Sequence, residues 1–153
     1  MTPLHPDHLF HIGVVAADID EAMPRMARDF GLTWRGGGVR HTTTVLYGQA
    51  RPLDMRIALS AQGPPHVELI EAVRDTPWEQ AAAGIHHLCY WSETPQADGE
   101  ALIRQGSHRV LGLPGGDANY YEAPGGFYVE IISTKLRDRM AGIAAGTIPP
   151  PGG

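Results

Sequence analysis

Four short runs of the chain are apolar except where a histidine or a glutamate interrupts them: Phe10-His11-Ile12-Gly13-Val14-Val15, Val67-Glu68-Leu69-Ile70, Gly84-Ile85-His86-His87-Leu88-Cys89-Tyr90-Trp91 and Val129-Glu130-Ile131-Ile132. Each reads as a buried β-strand, rich in β-branched and aromatic residues. Taken in order they carry His, Glu, His, Glu, so the second half of the chain repeats the first. An unpaired polar group in an apolar strand costs roughly 2–7 kcal/mol. Four of them in matching contexts imply a shared purpose, and that purpose is inferred to be one metal ion.

The intervening pattern fills in two similar modules. Residues 9–16 are expected to form the first strand, followed by a helix capped by Asp20, with Pro24 in its first turn, Met23, Met26, Ala27 and Phe30 on its core face, and Gly31 closing it. The glycine-rich stretch Trp34 to Arg40 lacks the Gly-Lys-Ser/Thr ending of a phosphate loop and reads as a crossing loop. Thr42 to Tyr47 and Met55 to Ser60 are expected strands joined through Gln49 to Pro52, and Gly63-Pro64-Pro65 turns the chain into the strand His66 to Ala72. Asp75 to Gly84 links the halves. The plan then repeats as a strand over 85–92, a helix opened by Thr94-Pro95, weakened by Gly99 and ended by Gly106, and strands near 108–112, 118–122 and 127–133. Beyond Lys135 an extended or disordered end is expected. The fold class is therefore α+β, with two βαβββ modules (about 9–73 and 85–133) forming an open cupped mixed β-sheet with flanking helices, in one domain over 1–153 with a flexible tail about 140–153.

Composition narrows the function classes. With 42% hydrophobic and 19% charged residues the chain is not of a disordered type, and no run approaches the roughly 20 apolar residues of a membrane span. A net charge of −5 with no basic stripe argues against nucleic acid as partner. The first residues lack the basic start and apolar run of an export signal, and the single cysteine, Cys89, forbids an internal disulfide, so a cytoplasmic setting is expected.

Strand alternation gives the candidate site its faces. His11 shares one with Gly13 and Val15, His87 with Cys89 and Trp91, Glu68 with His66 and Ile70, and Glu130 with Tyr128 and Ile132, while His86 and Glu71 point the other way. If the two modules curl into one cup, His11, Glu68, His87 and Glu130 meet at its centre. Two carboxylates and one divalent cation are neutral together, and mixed nitrogen and oxygen donors suit Zn, Ni, Co, Mn or Fe. Glu130 or Glu68 is the candidate base, with His66 and Tyr128 as helpers. Trp91, Tyr120, Tyr121, Tyr47 and Arg56 are candidate substrate contacts, and Trp34 and Phe127 candidate apolar walls. Cys89 has no flanking basic residue to activate it and is expected to pack inertly.

These strands resemble those of the vicinal oxygen chelate superfamily, which includes glyoxalase I, methylmalonyl-CoA epimerase, extradiol dioxygenases and the fosfomycin and bleomycin resistance proteins. The resemblance spans about residues 9–133, and the Gly84-Ile85-His86-His87 segment is most similar to the epimerase and glyoxalase branch. It implies paired βαβββ modules, metal ligation by His11, Glu68, His87 and Glu130, a small-molecule substrate and a homodimer. Extradiol dioxygenases match at His11, His87 and Glu130 but leave the Glu68 position without a metal bond. An epimerase usually carries a further carboxylate on the strand before Glu68, where this chain has Arg56, with Asp54 inward only if the register slips. The expected activity is that of a metal-dependent lyase, isomerase or epimerase acting on a bidentate carbonyl substrate through enolate-type proton transfer. The alternatives are a non-catalytic small-molecule binding or resistance protein and an iron-dependent extradiol-type dioxygenase.

Overall fold

In a computed structural model, which describes residues 4–79 and 85–152, the chain runs through two successive β-α-β-β-β units. The first comprises β1 (Leu9–Ala16), α1 (Ile19–Phe30), β2 (Trp34–Leu46), β3 (Gln49–Ser60) and β4 (His66–Glu71). The second comprises β5 (Ile85–Ser92), α2 (Pro95–Arg104), β6 (His108–Gly112), β7 (Ala118–Glu122) and β8 (Tyr128–Ser133), and α3 (Thr134–Ala145) follows it. The end of the expected link, 80–84 with Gly84, lies outside the described residues, as do the first three residues of the chain.

The strands are ordered β1-β4-β3-β2-β6-β7-β8-β5, and the last pairs back to β1. Pairing is parallel at β1/β4 and β5/β8 and antiparallel elsewhere, so each unit contributes the same crossover. The expected open cup is thus closed, but thinly. Only Val45–Gly112 and Leu46–Leu111 join β2 to β6, which leaves most of that seam unpaired. Two apolar clusters fill the barrel, one around Met55, Ile70, Trp78 and Leu111, the other around Phe10, Cys89 and Ile132 under Leu136 and Met140 of α3.

Four local expectations are corrected. The stretch from Trp34 is strand rather than loop, because the positive φ of Gly36 and Gly37 lets β2 bulge without breaking: Gly36 pairs with Ala58 and Val39 with Arg56, one extra residue on the β2 side. The β2–β3 turn is the two-residue Tyr47-Gly48, both at positive φ as a tight hairpin requires, and Gln49 to Pro52 belong to β3. Helix α1 is capped by Asp18, whose carboxylate accepts from the N–H of Asp20 and Glu21, while Asp20 is engaged by Arg56; Pro24 therefore lies inside the helix and the terminal Phe30 is 69% exposed. Finally, the expected extended end begins with α3, capped by Ser133, which buries Ile143 and Ala144. Helices α1 and α2 otherwise follow the expected pattern, with Met23 and Met26 packed on the Ile19 cluster.

Candidate metal centre

Strand register alone brings the four polar residues together. They lie on four adjacent strands, β4, β1, β5 and β8. Gly13 of β1 is opposite both Glu68 and His87, and one inward position earlier His11 is opposite Cys89, which is itself opposite Glu130. Two donors thus sit at one level of the barrel and two at the next, all on the inner face. The repeat that the sequence displays is the origin of this near-symmetric arrangement.

The donor atoms converge. Nε2 of His11 is 3.0 Å from Nε2 of His87, 3.0 Å from Oε2 of Glu130 and 3.5 Å from Oε1 of Glu68; Nε2 of His87 is 3.6 Å from Glu68 Oε1 and 3.4 Å from Glu130 Oε2. One atom from each residue lies within 4.8 Å of the others, and all four side chains are buried. Donors bound about 2.1 Å from one cation stand about 3.0–3.4 Å apart, so the spacing fits a shared divalent ion. Glu130 Oε2 is buried without an aligned hydrogen bond despite its nearness to His11, an orphan a cation would satisfy. Burial alone would push the His11 imidazole down, but the Glu68 charge and the Glu130 contact hold it above its usual range. Burial would likewise raise Glu130, and the two histidines keep it well below the ordinary carboxylate range.

An outer partner orients one ligand. Nδ1 of His86 lies 2.9 Å from Nδ1 of His87, and His86 Nε2 lies 2.5 Å from the carbonyl of Pro77. Burial lowers His86 to about 4, so it is neutral. A neutral His86 that donates from Nε2 to Pro77 accepts at Nδ1 from His87, which frees His87 Nε2 as a metal donor. His11 has no such partner, its Nδ1 being buried and unbonded.

A cavity of about 200 Å³ adjoins the centre, with Glu68, Glu130, Tyr120, Trp78, Met55 and Leu111 among its walls. Tyr120 carries its hydroxyl 3.5 Å from His87 Nε2, and burial together with the two carboxylates raises it well above a normal phenol. The other expected substrate contacts lie elsewhere. Arg56 faces outward, since Met55 and Ile57 face in, and is bound by Asp20 at 2.7 Å and Glu71 at 3.4 Å. Tyr121 alternates with Tyr120 and packs against Gly99 of α2; Tyr47 is exposed in its turn; Trp91 stacks on His8 and beneath Arg137. Among the expected helpers, His66 donates from Nδ1 to the Ser60 carbonyl, 2.9 Å away, beside the ring of Phe10, and Tyr128 stacks on His86; neither lines the cavity. Trp34 bonds the Met23 carbonyl, and Phe127 is exposed. Cys89 is fully buried, and its thiol is raised by burial and by the nearby carboxylates.

Two roles were absent from the sequence reading. Pairing of His86 with its neighbour had no local signal, because adjacent strand residues point apart. Trp78 falls within the expected link, although a tryptophan amid Thr76-Pro77 is a large apolar residue that needs a core.

The family model described as the Glyoxalase/Bleomycin resistance protein/Dioxygenase superfamily matches residues 10–120. No curated protein matches the chain. Among solved structures it is similar to a hypothetical protein, BH1468, from Bacillus halodurans C-125, with a TM-score of 0.58 at 18% identity over 82% of this chain and 93% of that one. It is also similar to methylmalonyl-CoA epimerase from Mycobacterium tuberculosis, with a TM-score of 0.57 at 18% identity over 86% and 91%. The methylmalonyl-CoA epimerase of Streptomyces coelicolor, in complex with 2-nitronate-propionyl-CoA, gives a TM-score of 0.56 at 14% identity over 82% and 96%. At these identities the likeness is one of fold.

Proposed function

The chain belongs to the glyoxalase/bleomycin resistance/dioxygenase, or vicinal oxygen chelate, superfamily, and from that premise we propose that it is a metal-dependent lyase, isomerase or epimerase acting on a carbonyl compound that chelates through two oxygens. The observation that carries this reading is the convergence of His11, Glu68, His87 and Glu130 within 4.8 Å. A divalent cation held there supplies Lewis acidity to the chelating oxygens and so acidifies the C–H beside the carbonyl. Zn, Ni, Co, Mn and Fe all suit the donor set.

The chain's own residues then divide the work. Glu68 and Glu130 are the ligands that also line the cavity, so either can take the proton while the histidines keep their place. His86 fixes the His87 ring. Tyr120, protonated at neutral pH, offers its hydroxyl to the oxygen on which charge develops. Met55, Ile57 and Leu111 exclude water. No acid of β3 assists: Asp54 lies outward with His41, so the register has not slipped and the extra carboxylate of an epimerase is missing from that strand. This favours proton transfer through a ligand carboxylate.

Glu68 within the donor cluster sets the reading apart from extradiol dioxygenase chemistry, where that position makes no metal bond. All four donors come from one chain, so a homodimer, which this reading retains, completes nothing at the centre. No helix of the described residues is long and apolar enough to cross a membrane. The test is to incubate metal-loaded protein in D2O with methylmalonyl-CoA, with hemithioacetals and, separately, with catechols. Metal-dependent deuterium incorporation or isomerisation, lost in Glu130→Gln, supports the proposal. Oxygen consumption with catechols, or saturable ligand binding by metal-free protein without turnover of any of them, overturns it.

A further inference from the structure

The bulge in β2 has a consequence for the cavity. Because three steps on β2 (Gly36 to Val39) match two on β3 (Ala58 to Arg56), the alternation of β2 changes phase, and Arg35, opposite Leu59, and Arg40, opposite Met55, both turn inward to line the cavity. With an unbroken pleat, an odd and an even position would face opposite sides.

Among the described residues Arg40 forms no ion pair, and its Nε is buried without a hydrogen-bond partner. Trp78, 4% exposed and in the same apolar cluster as Met55, lines the same cavity; among the described residues its buried indole N–H has no aligned hydrogen bond, although the Tyr120 hydroxyl lies close by. Buried N–H donors are ordinarily satisfied, and the Nε of the half-buried Arg40 is not. Arg56, one position beyond Met55 and facing outward, shows the contrast: Asp20, Glu71 and the Gly37 carbonyl occupy it. Three arginines, Arg35, Arg40 and Arg139, face two carboxylates, Glu68 and Glu130, in the cavity wall, so the lining is positive even before any cation binds, in a chain of net charge −5. Donors without acceptors in a positive pocket specify an anion.

We propose that Arg40 and Trp78 form an acid-binding subsite, and that the substrate carries, besides its two chelating oxygens, a second acidic group at its far end. Guanidinium chemistry takes a carboxylate or a phosphate there, through paired N–H donors. Leu59, opposite Glu68, and Met55, opposite Arg40, are four residues apart on β3, about 13 Å at the usual rise, so the acidic group is separated from the chelating end by a short chain. The inference rests on the metal-dependent reading for the chelating end only; the subsite itself needs no metal.

Calorimetric titration separates the two. Zinc-loaded protein is titrated with 2-oxoglutarate, 2-oxoadipate and 2-oxobutyrate, which share a chelating end but differ in the distal acid. Metal-stripped protein is titrated with succinate and inorganic phosphate. One of the distal diacids is expected to bind at least about tenfold more tightly than 2-oxobutyrate, the scale of one charge-assisted hydrogen bond. That preference collapses in Arg40→Met, is partly kept in Arg40→Lys and weakens in Trp78→Phe, which retains the ring. Stripped protein that binds phosphate but not succinate, in an Arg40-dependent way, identifies the acid as a phosphate; the reverse identifies a carboxylate. Circular dichroism melting shows whether Arg40→Met folds, and removal of an unpartnered guanidinium is expected to leave its Tm unchanged or raised. Zinc binding with no distal preference, or a preference equal in wild type and a folded Arg40→Met, overturns the subsite alone. Absence of zinc binding with Arg40-dependent anion binding intact overturns the metal reading alone.

Discussion

The Cβ that Gly13 lacks would lie 1.9 Å from Cε1 of His87 and 2.2 Å from its Nδ1. The two residues are partners across β1 and β5, so β1 gives up a side chain where the imidazole turns inward. Gly13→Ala is therefore expected to displace His87 and lower metal affinity at least about tenfold although every donor remains, with an overpacking cost of about 1–3 kcal/mol. Titration of chelator-stripped protein with Zn2+ measures the first and thermal melting the second. An unchanged affinity would mean that His87 is not held by this gap.

His86 acts on the centre through His87 alone. Replacing it with Phe keeps the stacking on Tyr128 but removes the acceptor for His87 Nδ1–H. Loss of an outer partner of this kind typically costs roughly 10–100-fold in metal affinity. His86→Phe should fall in that range while stoichiometry stays at one, and a variant binding metal as tightly as wild type would show that His87 needs no orienting partner.

How much of this was legible beforehand follows from contrast. A histidine or glutamate in an apolar strand stands out, and strand alternation then fixes which way it faces, so His11, Glu68, His87 and Glu130 could be read without coordinates. Glycine gives no such contrast. Gly36 and Gly37 serve a bulge, Gly48 a hairpin and Gly13 a steric gap, yet the residue is the same in each. Adjacent acids are equally ambiguous: Asp18 and Asp20 can both cap α1, and only the position of Arg56 on a distant strand decides between them. Helix α3 is not legible in the sequence because its apolar residues, Leu136, Met140, Ile143 and Ala144, are few and make sense only against the barrel end that they cover.

The Asp20–Arg56 pair gives a pH dependence. Hydrogen bonding from Arg56 holds the Asp20 carboxyl below its ordinary value of 3.8. A carboxylate depressed in the folded state adds stability that is complete above its unfolded pKa and disappears as pH falls through the folded one. The Tm difference between wild type and Asp20→Asn is accordingly expected to be constant from pH 5 to 7 and to shrink below about 4. Melting curves at closely spaced pH values check this, and a difference that grows on acidification would reverse the assigned sign.

Gly99 looks like a weakness in α2, since Ala at a helix interior is ordinarily better by about 1 kcal/mol. A Cβ there would lie 2.0 Å from the Tyr121 hydroxyl and 2.6 Å from Cζ. Gly99→Ala is expected to destabilise by about 1–3 kcal/mol net, with the loss largely recovered in the Gly99→Ala/Tyr121→Leu pair relative to Tyr121→Leu alone. Denaturant unfolding of the four proteins completes the cycle, and additive effects would show that the two residues do not meet.

The proposed proton transfer turns on one cation shared by two imidazoles and two carboxylates. Titration of chelator-stripped protein with Co2+, followed by calorimetry and by the visible spectrum, tests this most directly. One ion per chain is expected, with binding lost in His87→Ala and in Glu130→Ala and the melting temperature of wild type raised on loading; at 100 times Kd the gain is about 2.7 kcal/mol. No saturable binding by the folded wild type, or one equivalent bound equally well by both variants, would contradict it.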